Sequence, residues 1–521
     1  MNRITLTLPL FFTLALVAPA CGDDAASDEG YDTGYNTGGE SGSGGDTAGS
    51  TTGGLEGGDE EPEPPPPDDE DTETTGEEPL CNDMDDVVLY LSPDDSNSMS
   101  SPVQVREQVI NKGGSTTGSA ALRPWEFMNY YSFDYPPAED GSLAISAELR
   151  LLEGFDAEQP HYELQIAVTS EDMSDAERPP MNVTLVVDTS GSMSGASIEL
   201  LRESCDAIAA SLREGDKVSM VEWDTENTWS LAGYAVSGPD DETLLSTIAQ
   251  LEAGGGTDLN GGLTSGYELA QMTWDIDALN RLVLISDGGA NAGETDIEII
   301  GQNAVYGGSD GIYLVGVGVG QNNYNDALMD HVTDAGKGAS VFINDEAEAW
   351  KIFNQDFVNT MALAARDVQV EVTLPPGFEI QRFSGEEYSD DPTEIEPQHL
   401  APNDSMVFFQ EVVTCAPELV TDDAEIQVHL TWEDVESFED RELTRAFSFA
   451  ELYDADISQL LKGGAILAYA EALVALRFGT DQDKTDEAVA RADAAIAEAQ
   501  AALPDDLDLA EVAEVWAAVS P

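Results

Sequence analysis

Asp188, Ser190 and Ser192 are spaced two apart in the run Asp188-Thr189-Ser190-Gly191-Ser192, which follows the apolar stretch Val183-Thr184-Leu185-Val186-Val187. A loop leaving a strand can turn three such residues toward one point, offering a hard cation oxygen donors at about 2.0–2.1 Å for Mg²⁺. Two of the three are neutral hydroxyls. A cation held mainly by hydroxyls, with carboxylates acting at one remove, keeps positive charge and can recruit a carboxylate from another molecule. Such chemistry suits docking better than catalysis. The same residue types have a plainer use, because Ser and Asp ahead of an apolar-periodic segment are ordinary N-cap residues of a following helix. The two uses are compatible, and a helix N-terminus behind the loop also favours an approaching anion.

Two later loops complete a pattern. Gly254-Gly255-Gly256-Thr257-Asp258-Leu259-Asn260-Gly261-Gly262 is a Gly-rich turn, and Leu284-Ile285-Ser286-Asp287-Gly288-Gly289 closes another apolar run. D-x-S-x-S, then Thr in a Gly-rich loop, then Asp-Gly after a strand resembles the metal-ion-dependent adhesion site of von Willebrand factor type A (VWA) domains. The resemblance implies that Ser190, Ser192 and Thr257 supply hydroxyl oxygens while Asp188 and Asp287 act chiefly through bound waters. It also implies Mg²⁺, or Mn²⁺ or Ca²⁺, as the ion, with an acidic group from outside completing the octahedron.

The elements that must hold these loops are legible between residues 182 and 365. Strand-like Val183 to Val187 precedes a helical pattern at Ile198, Leu201, Cys205, Ile208 and Leu212, and then Val218 to Trp223 reads as strand again. Arg281 to Ile285 and Ile312 to Val317 repeat the pattern, predicting an α/β fold with a doubly wound, mostly parallel sheet. Asp188 and Asp287 then fall at carboxyl ends of strands, where open α/β sheets bind ligands. The run Gly316-Val317-Gly318-Val319-Gly320 through Met329 is similar to one in a group of bacterial exported VWA proteins. It lacks the Gly-Lys-Ser/Thr of a phosphate loop and the strand-turn-helix setting of a dinucleotide fingerprint, so no nucleotide is expected.

The flanks have other periods. Residues 82–178 contain Val103 to Ile110 and Leu122 to Tyr131, which resemble the segment ahead of the VWA domain in the same bacterial group and predict a small helical unit burying Trp125 and Tyr130. Strand-like runs follow at Leu143 to Leu152 and Tyr162 to Thr169. Residues 366–450 are strand-rich, with Val368 to Leu374, Ser405 to Val413 and Ala424 to Trp432. Strands on both sides predict a β-sandwich into which the VWA domain is inserted. Residues 455–521 predict a helical tail.

Residues 1–21 read as a secretory signal, and Ala18-Pro19-Ala20-Cys21 resembles a bacterial lipobox, which implies lipidation of Cys21 and tethering to a membrane; a plain signal peptide is the other reading. Residues 22–80, rich in Gly, Ser, Thr, Pro, Asp and Glu, predict a disordered stalk. With Cys21 lipidated and Cys205 on the apolar side of a helix, an oxidising compartment leaves Cys81 and Cys415 as a possible disulfide.

The chain is 521 residues long with 103 Asp and Glu against 20 Lys and Arg, and the stalk holds only a minority of those carboxylates. A surface this acidic excludes phosphate-backbone binding, so nucleic acid is not an expected partner. At a Debye length of about 8 Å, distant carboxylates barely weaken a direct metal–ligand contact. Enzymatic readings are poor. Asp188-Thr189-Ser190-Gly191 has the Gly one place late for an aspartic protease and no second copy, and His161, His331, His399 and His429 are dispersed with no zinc motif. The expectation is a non-enzymatic, envelope-anchored, exported protein of a bacterial cell. It would bind a protein or surface polymer through a metal and an acidic group. A structural or assembly factor with a fold-stabilising metal loop is the alternative, and a metal-dependent hydrolase a distant third.

Overall fold

Every residue of the strand Met181–Asp188 is buried, as required of a central strand in a parallel sheet covered on both faces. Its neighbours are Lys217–Trp223 and Leu279–Ser286, both parallel to it. The six-stranded sheet runs in the order Asn227–Ala235, Lys217–Trp223, Met181–Asp188, Leu279–Ser286, Tyr313–Val319, Ser340–Ile343. Only Asn227–Ala235, at one edge, is antiparallel. Helix Ala196–Ser211 covers one face through Leu201, Cys205 and Ile208, and helices Leu259–Met272 and Asp326–Ala335 cover the other through Leu263, Tyr267 and Met329. From Met181–Asp188 the chain first moves outward on one side and then returns to Leu279–Ser286 on the other. The order reverses there, so the carboxyl ends of these two strands border the crevice where such sheets take ligands.

The computed structural model describes residues 85–93, 98–289, 312–320, 324–336, 338–435 and 437–520. The expected signal with Cys21, the stalk over 22–80, Cys81 and residues 321–323 of the Gly-rich run lie outside them. The described residues fall within one compact unit, Gly76–Pro521.

The sandwich is built from chain on both sides of this sheet-and-helix domain. One sheet joins Val87–Ser92 to Ala365–Leu374, followed by Glu425–Asp434 and Asp440–Ser448. The other joins Ala144–Leu151 and His161–Thr169 to Ser405–Thr414 and Phe378–Phe383. Leu91, Ile145, Ile166, Val370, Phe408 and Ile426 meet in one core between the sheets. Residues ahead of that domain therefore pair directly with residues far behind it.

Three details differ from the sequence reading, the first being that Trp125 and Tyr130 are only half-buried. Val87–Ser92 is a strand ahead of the short helices Ser100–Arg106 and Pro124–Tyr130, so the first segment is not purely helical. The C-terminal helices Ser458–Phe478, Gln482–Ala502 and Leu507–Val519 form a layer, because Tyr469, Leu473 and Trp516 share a core with Phe127, Val105 and the outward-facing Ala167, Val407 and Phe409 of the sandwich. Ser458–Phe478 is long and apolar enough to cross a bilayer by length and composition. It is instead mostly buried between its neighbours, which accounts for its apolarity.

Charged residues fasten these parts. Arg178, fully buried, pairs with Asp216 at 2.7 Å where the chain enters the parallel-sheet domain. Arg123 reaches Glu126 at 2.7 Å and Asp326 at 2.6 Å, tying the N-terminal helices to helix Asp326–Ala335. Arg106 bridges Glu348 of the parallel-sheet domain and Glu511 of the last helix.

Candidate metal centre

Asp188 ends its strand fully buried, and both of its carboxylate oxygens are held. Oδ1 accepts the Ser190 backbone N–H at 2.8 Å, and Oδ2 accepts the Ser286 hydroxyl at 2.7 Å. The first bond turns the chain so that Ser190 and Ser192 project together. Their hydroxyls stand 2.9 Å apart. Neither caps a helix: the turn Gly191–Met193 and helix Ala196–Ser211 both begin without a side-chain cap, the latter at Gly195. The capping role that the sequence allowed is not the one these hydroxyls take.

The Gly-rich loop is stitched to this one through its backbone. Gly254 N–H donates to Thr189 O at 2.7 Å, and Gly191 N–H donates to Gly255 O at 3.3 Å. Gly255 has φ +80°, and a Cβ there would stand 2.7 Å from the Asp224 carboxyl group, so the position needs glycine on both counts. Asp258 then caps helix Leu259–Met272 by accepting Gly261 N–H, fixing Thr257 one residue before the cap. In the third loop, Asp287 Oδ1 accepts Gly289 N–H at 3.1 Å, and Asp287 O accepts Asn325 N–H at 3.1 Å.

Gly289 shows that the three loops face one space. A Cβ built on it would lie 3.0 Å from Asp287 Oδ1, 3.5 Å from Thr257 Cγ2 and 3.8 Å from Ser192 Oγ. The sequence-predicted set Asp188, Ser190, Ser192, Thr257 and Asp287 is thus brought together, each residue linked to another of the set by a hydrogen bond, a charge interaction or this shared cradle. Burial pushes the Asp188 carboxyl up to about 6; its bonds from Ser286 and Ser190 oppose that, and the nearby Asp287 adds to it. Two neighbouring carboxylates, one of them desolvated, are poorly matched to each other and well matched to a cation. The donors are all hard oxygens, three of them hydroxyls, so the residues present fit Mg²⁺, Mn²⁺ or Ca²⁺. Among the described residues no cluster of three His, Cys, Asp or Glu forms an alternative metal cage.

Three contributors escaped the sequence reading. Ser286 lay inside a quoted run without a role, Gly289 carries no side chain to notice, and Asp224 sits on a loop between two strands. Ser286 could have been found from its place at a strand end beside Asp287. Elsewhere, Cys205 is a free buried thiol, and Cys415 is disulfide-bonded to a partner that is not among the described residues.

A doubly wound sheet carrying hydroxyl-rich loops at its switch point defines an α/β ligand-binding module. Residues 182–355 match the family model of the von Willebrand factor type A domain, and this part of the chain is a VWA domain. Domains of this family commonly mediate protein–protein interaction or adhesion and commonly bind a divalent metal at such a site.

Among curated proteins, the chain is 28% identical over 264 residues to YfbK of Escherichia coli, covering 50% of this chain and 46% of that one. It is 25% identical over 178 residues to mouse inter-alpha-trypsin inhibitor heavy chain H3, covering 33% of this chain and 20% of that protein. The chain thus matches about half the length of the first of these relatives and less of the second. Among solved structures, a von Willebrand factor type A protein from Catenulispora acidiphila aligns with TM-score 0.45 and 16% identity, over 68% of this chain and 86% of that one.

Proposed function

We propose that this protein is an exported binding or adhesion protein, anchored to the bacterial cell envelope through Cys21, that presents a divalent cation to an acidic group on a protein or surface polymer. The observation carrying this reading is the 2.9 Å pair of Ser190 and Ser192 hydroxyls facing the cradle bounded by Thr257 and Asp287. Neutral donors leave an ion of this kind electrophilic, and the buried Asp188 is engaged by Ser190 and Ser286, so an outside oxygen has a position to fill. Catalysis is not part of the reading. The Ser190 hydroxyl pairs with Ser192, and its backbone with Asp188 and Met193, so no histidine base stands against it among these partners.

One observation favours the alternative of a fold-stabilising metal loop, namely that the adjacent buried Asp188 and the Asp287 carboxylate would be relieved by a cation even with no partner present. One experiment separates the two. The immobilised protein is offered an extract of its own cell surface with MgCl₂ or with EDTA, beside Ser190→Ala and Asp188→Ala variants. Capture lost on chelation and in both variants, with the melting temperature nearly constant, is the expected result. Capture unaffected by chelation, with a large fall in melting temperature, would establish the structural role instead. Anchoring is tested separately by palmitate incorporation, which Cys21→Ala should abolish.

A further inference from the structure

A cavity of about 600 Å³ lies where the VWA domain, the sandwich and the last helix meet. Arg281 and Val315, each two residues from the start of its strand, and Gly338 and Ala339, just before Ser340–Ile343, line it. It therefore opens at the amino ends of the sheet strands, the pole opposite the metal loops.

Arg281 sets this cavity apart. The residue is 5% exposed, and its Nε donates to Met361 O at 2.8 Å. No carboxylate among the described residues pairs with it. The other fully buried arginine behaves differently, since Arg178 has Asp216, and the half-buried Arg123 and Arg106 are paired as well, with Glu126 and Asp326 and with Glu348 and Glu511. Tyr313 lies under the Arg281 guanidinium at 5.4 Å, and Arg366 crowds the same ring at 5.7 Å. Burial is the main cause that pushes Arg281 down to about 10; Tyr313 opposes it and the like charge of Arg366 adds to it. A buried cation without a counter-ion is strongly unfavourable. Among the described residues, then, a buried arginine stands without a carboxylate at the wall of a cavity.

Three carboxylates also line the cavity, Asp356, Asp404 and Asp508, and none of them is paired with Arg281; Asp508 is held by Lys462 Nζ at 2.8 Å. Asp404 accepts Ser405 N–H at 2.7 Å, and Asp356 interacts with Lys351 and with Asp404. Apolar wall is contributed by Ile352, Leu363 and Met406. The volume is within the roughly 300–1,000 Å³ of small-molecule sites, and the planar guanidinium fork matches a carboxylate.

We propose that this cavity binds a small organic carboxylate, its oxygens on the Arg281 guanidinium and its carbon body against the Ile352, Leu363 and Met406 wall. An inorganic anion would leave that wall unused. An amino acid would in addition place its ammonium group toward Asp356 and Asp404, whereas a simple acid would not.

The test is calorimetric titration of the full chain, stripped of divalent ions on a chelating resin and run without free chelator, so that the metal loops take no part and no other carboxylate competes. Propionate, benzoate and succinate form one arm, L-alanine and L-glutamate the other, and phosphate and chloride at equal ionic strength are the controls. The expected result is one-to-one binding by at least one carboxylate, weakened about tenfold or more by Arg281→Gln, the loss of a charge-assisted pair. Ala401→Phe, which fills the cavity while leaving the arginine in place, should weaken it likewise and serves if Arg281→Gln does not fold. Tighter binding in the second arm identifies an amino acid as the source of the carboxylate, and tighter binding in the first a simple acid. Failure of every carboxylate to bind, phosphate binding as tightly as any of them, or unchanged affinity in the folded variants would overturn the proposal.

Discussion

The Ser286 hydroxyl donates to Asp188 Oδ2 at 2.7 Å, linking the last residues of two parallel neighbouring strands across the switch point of the sheet. This bond aims the Asp188 carboxylate before any ion arrives. Supporting groups of this kind are commonly worth about 10–100-fold in metal affinity. Ser286→Ala should therefore weaken Mn²⁺ binding, followed by electron paramagnetic resonance, by about that factor while leaving the circular dichroism spectrum unchanged. Unaltered affinity would mean that the strand ends alone orient Asp188.

Gly289 gives a complementary test, because it adds bulk without removing a donor. Gly289→Val places carbon within the cradle between Asp287, Thr257 and Ser192. Divalent binding should fall below detection in the same titration, with the melting temperature shifted little because the residue is only partly buried at the loop. Retained binding would place the ion elsewhere.

Glu148 makes stability depend on pH. Its carboxylate accepts Leu460 N–H at 2.7 Å at the start of helix Ser458–Phe478, and burial raises it from the ordinary 4.5 to about 7 despite that bond. An acid raised in this way keeps its proton longer in the fold than in the unfolded chain. Its stabilising contribution is complete below pH 4.5 and is lost as pH rises through about 7. Denaturant titrations at pH 5.5 and 7.5 should show wild type losing up to about 2 kcal/mol more than Glu148→Gln over that interval. Parallel pH profiles for the two proteins would contradict this.

Asp216 is the anchor of the VWA entry. It pairs with the fully buried Arg178 and also accepts the backbone N–H groups of Met181 and Arg213, both at 2.8 Å. Asp216→Ala would strand the guanidinium without a counter-ion, at a cost of about 3–5 kcal/mol. Chemical denaturation should show a loss of that size, and a loss under about 1 kcal/mol would mean that water reaches Arg178 readily.

The metal loops were legible because their chemistry is local. Asp188, Ser190 and Ser192 sit within one short run, and Thr257 and Asp287 each carry their own flanking glycines. The central strands were legible because both faces are buried, which leaves continuous apolar runs such as Leu282 to Ile285. Strands with one solvated face were not. Asp440–Ser448 buries only Phe447, and Asn227–Ala235 is an edge strand with no fully buried residue, so neither displays an apolar pattern. The helix-capping role of Ser190 and Ser192 was equally readable from sequence. It is set aside by the pairing of the two hydroxyls with each other.

Short-range order in the chain determined which residues could hold a cation and which segments would alternate between strand and helix, because side-chain chemistry and apolar period act over a few neighbours. Pairings across the inserted domain were decided only by the fold. Val87–Ser92 meets Ala365–Leu374, the C-terminal helices meet Pro124–Tyr130, and Arg281 stands at a cavity wall paired with no carboxylate among the described residues. Such contacts bury surface between residues hundreds of positions apart, and nothing in either local stretch specifies its distant partner.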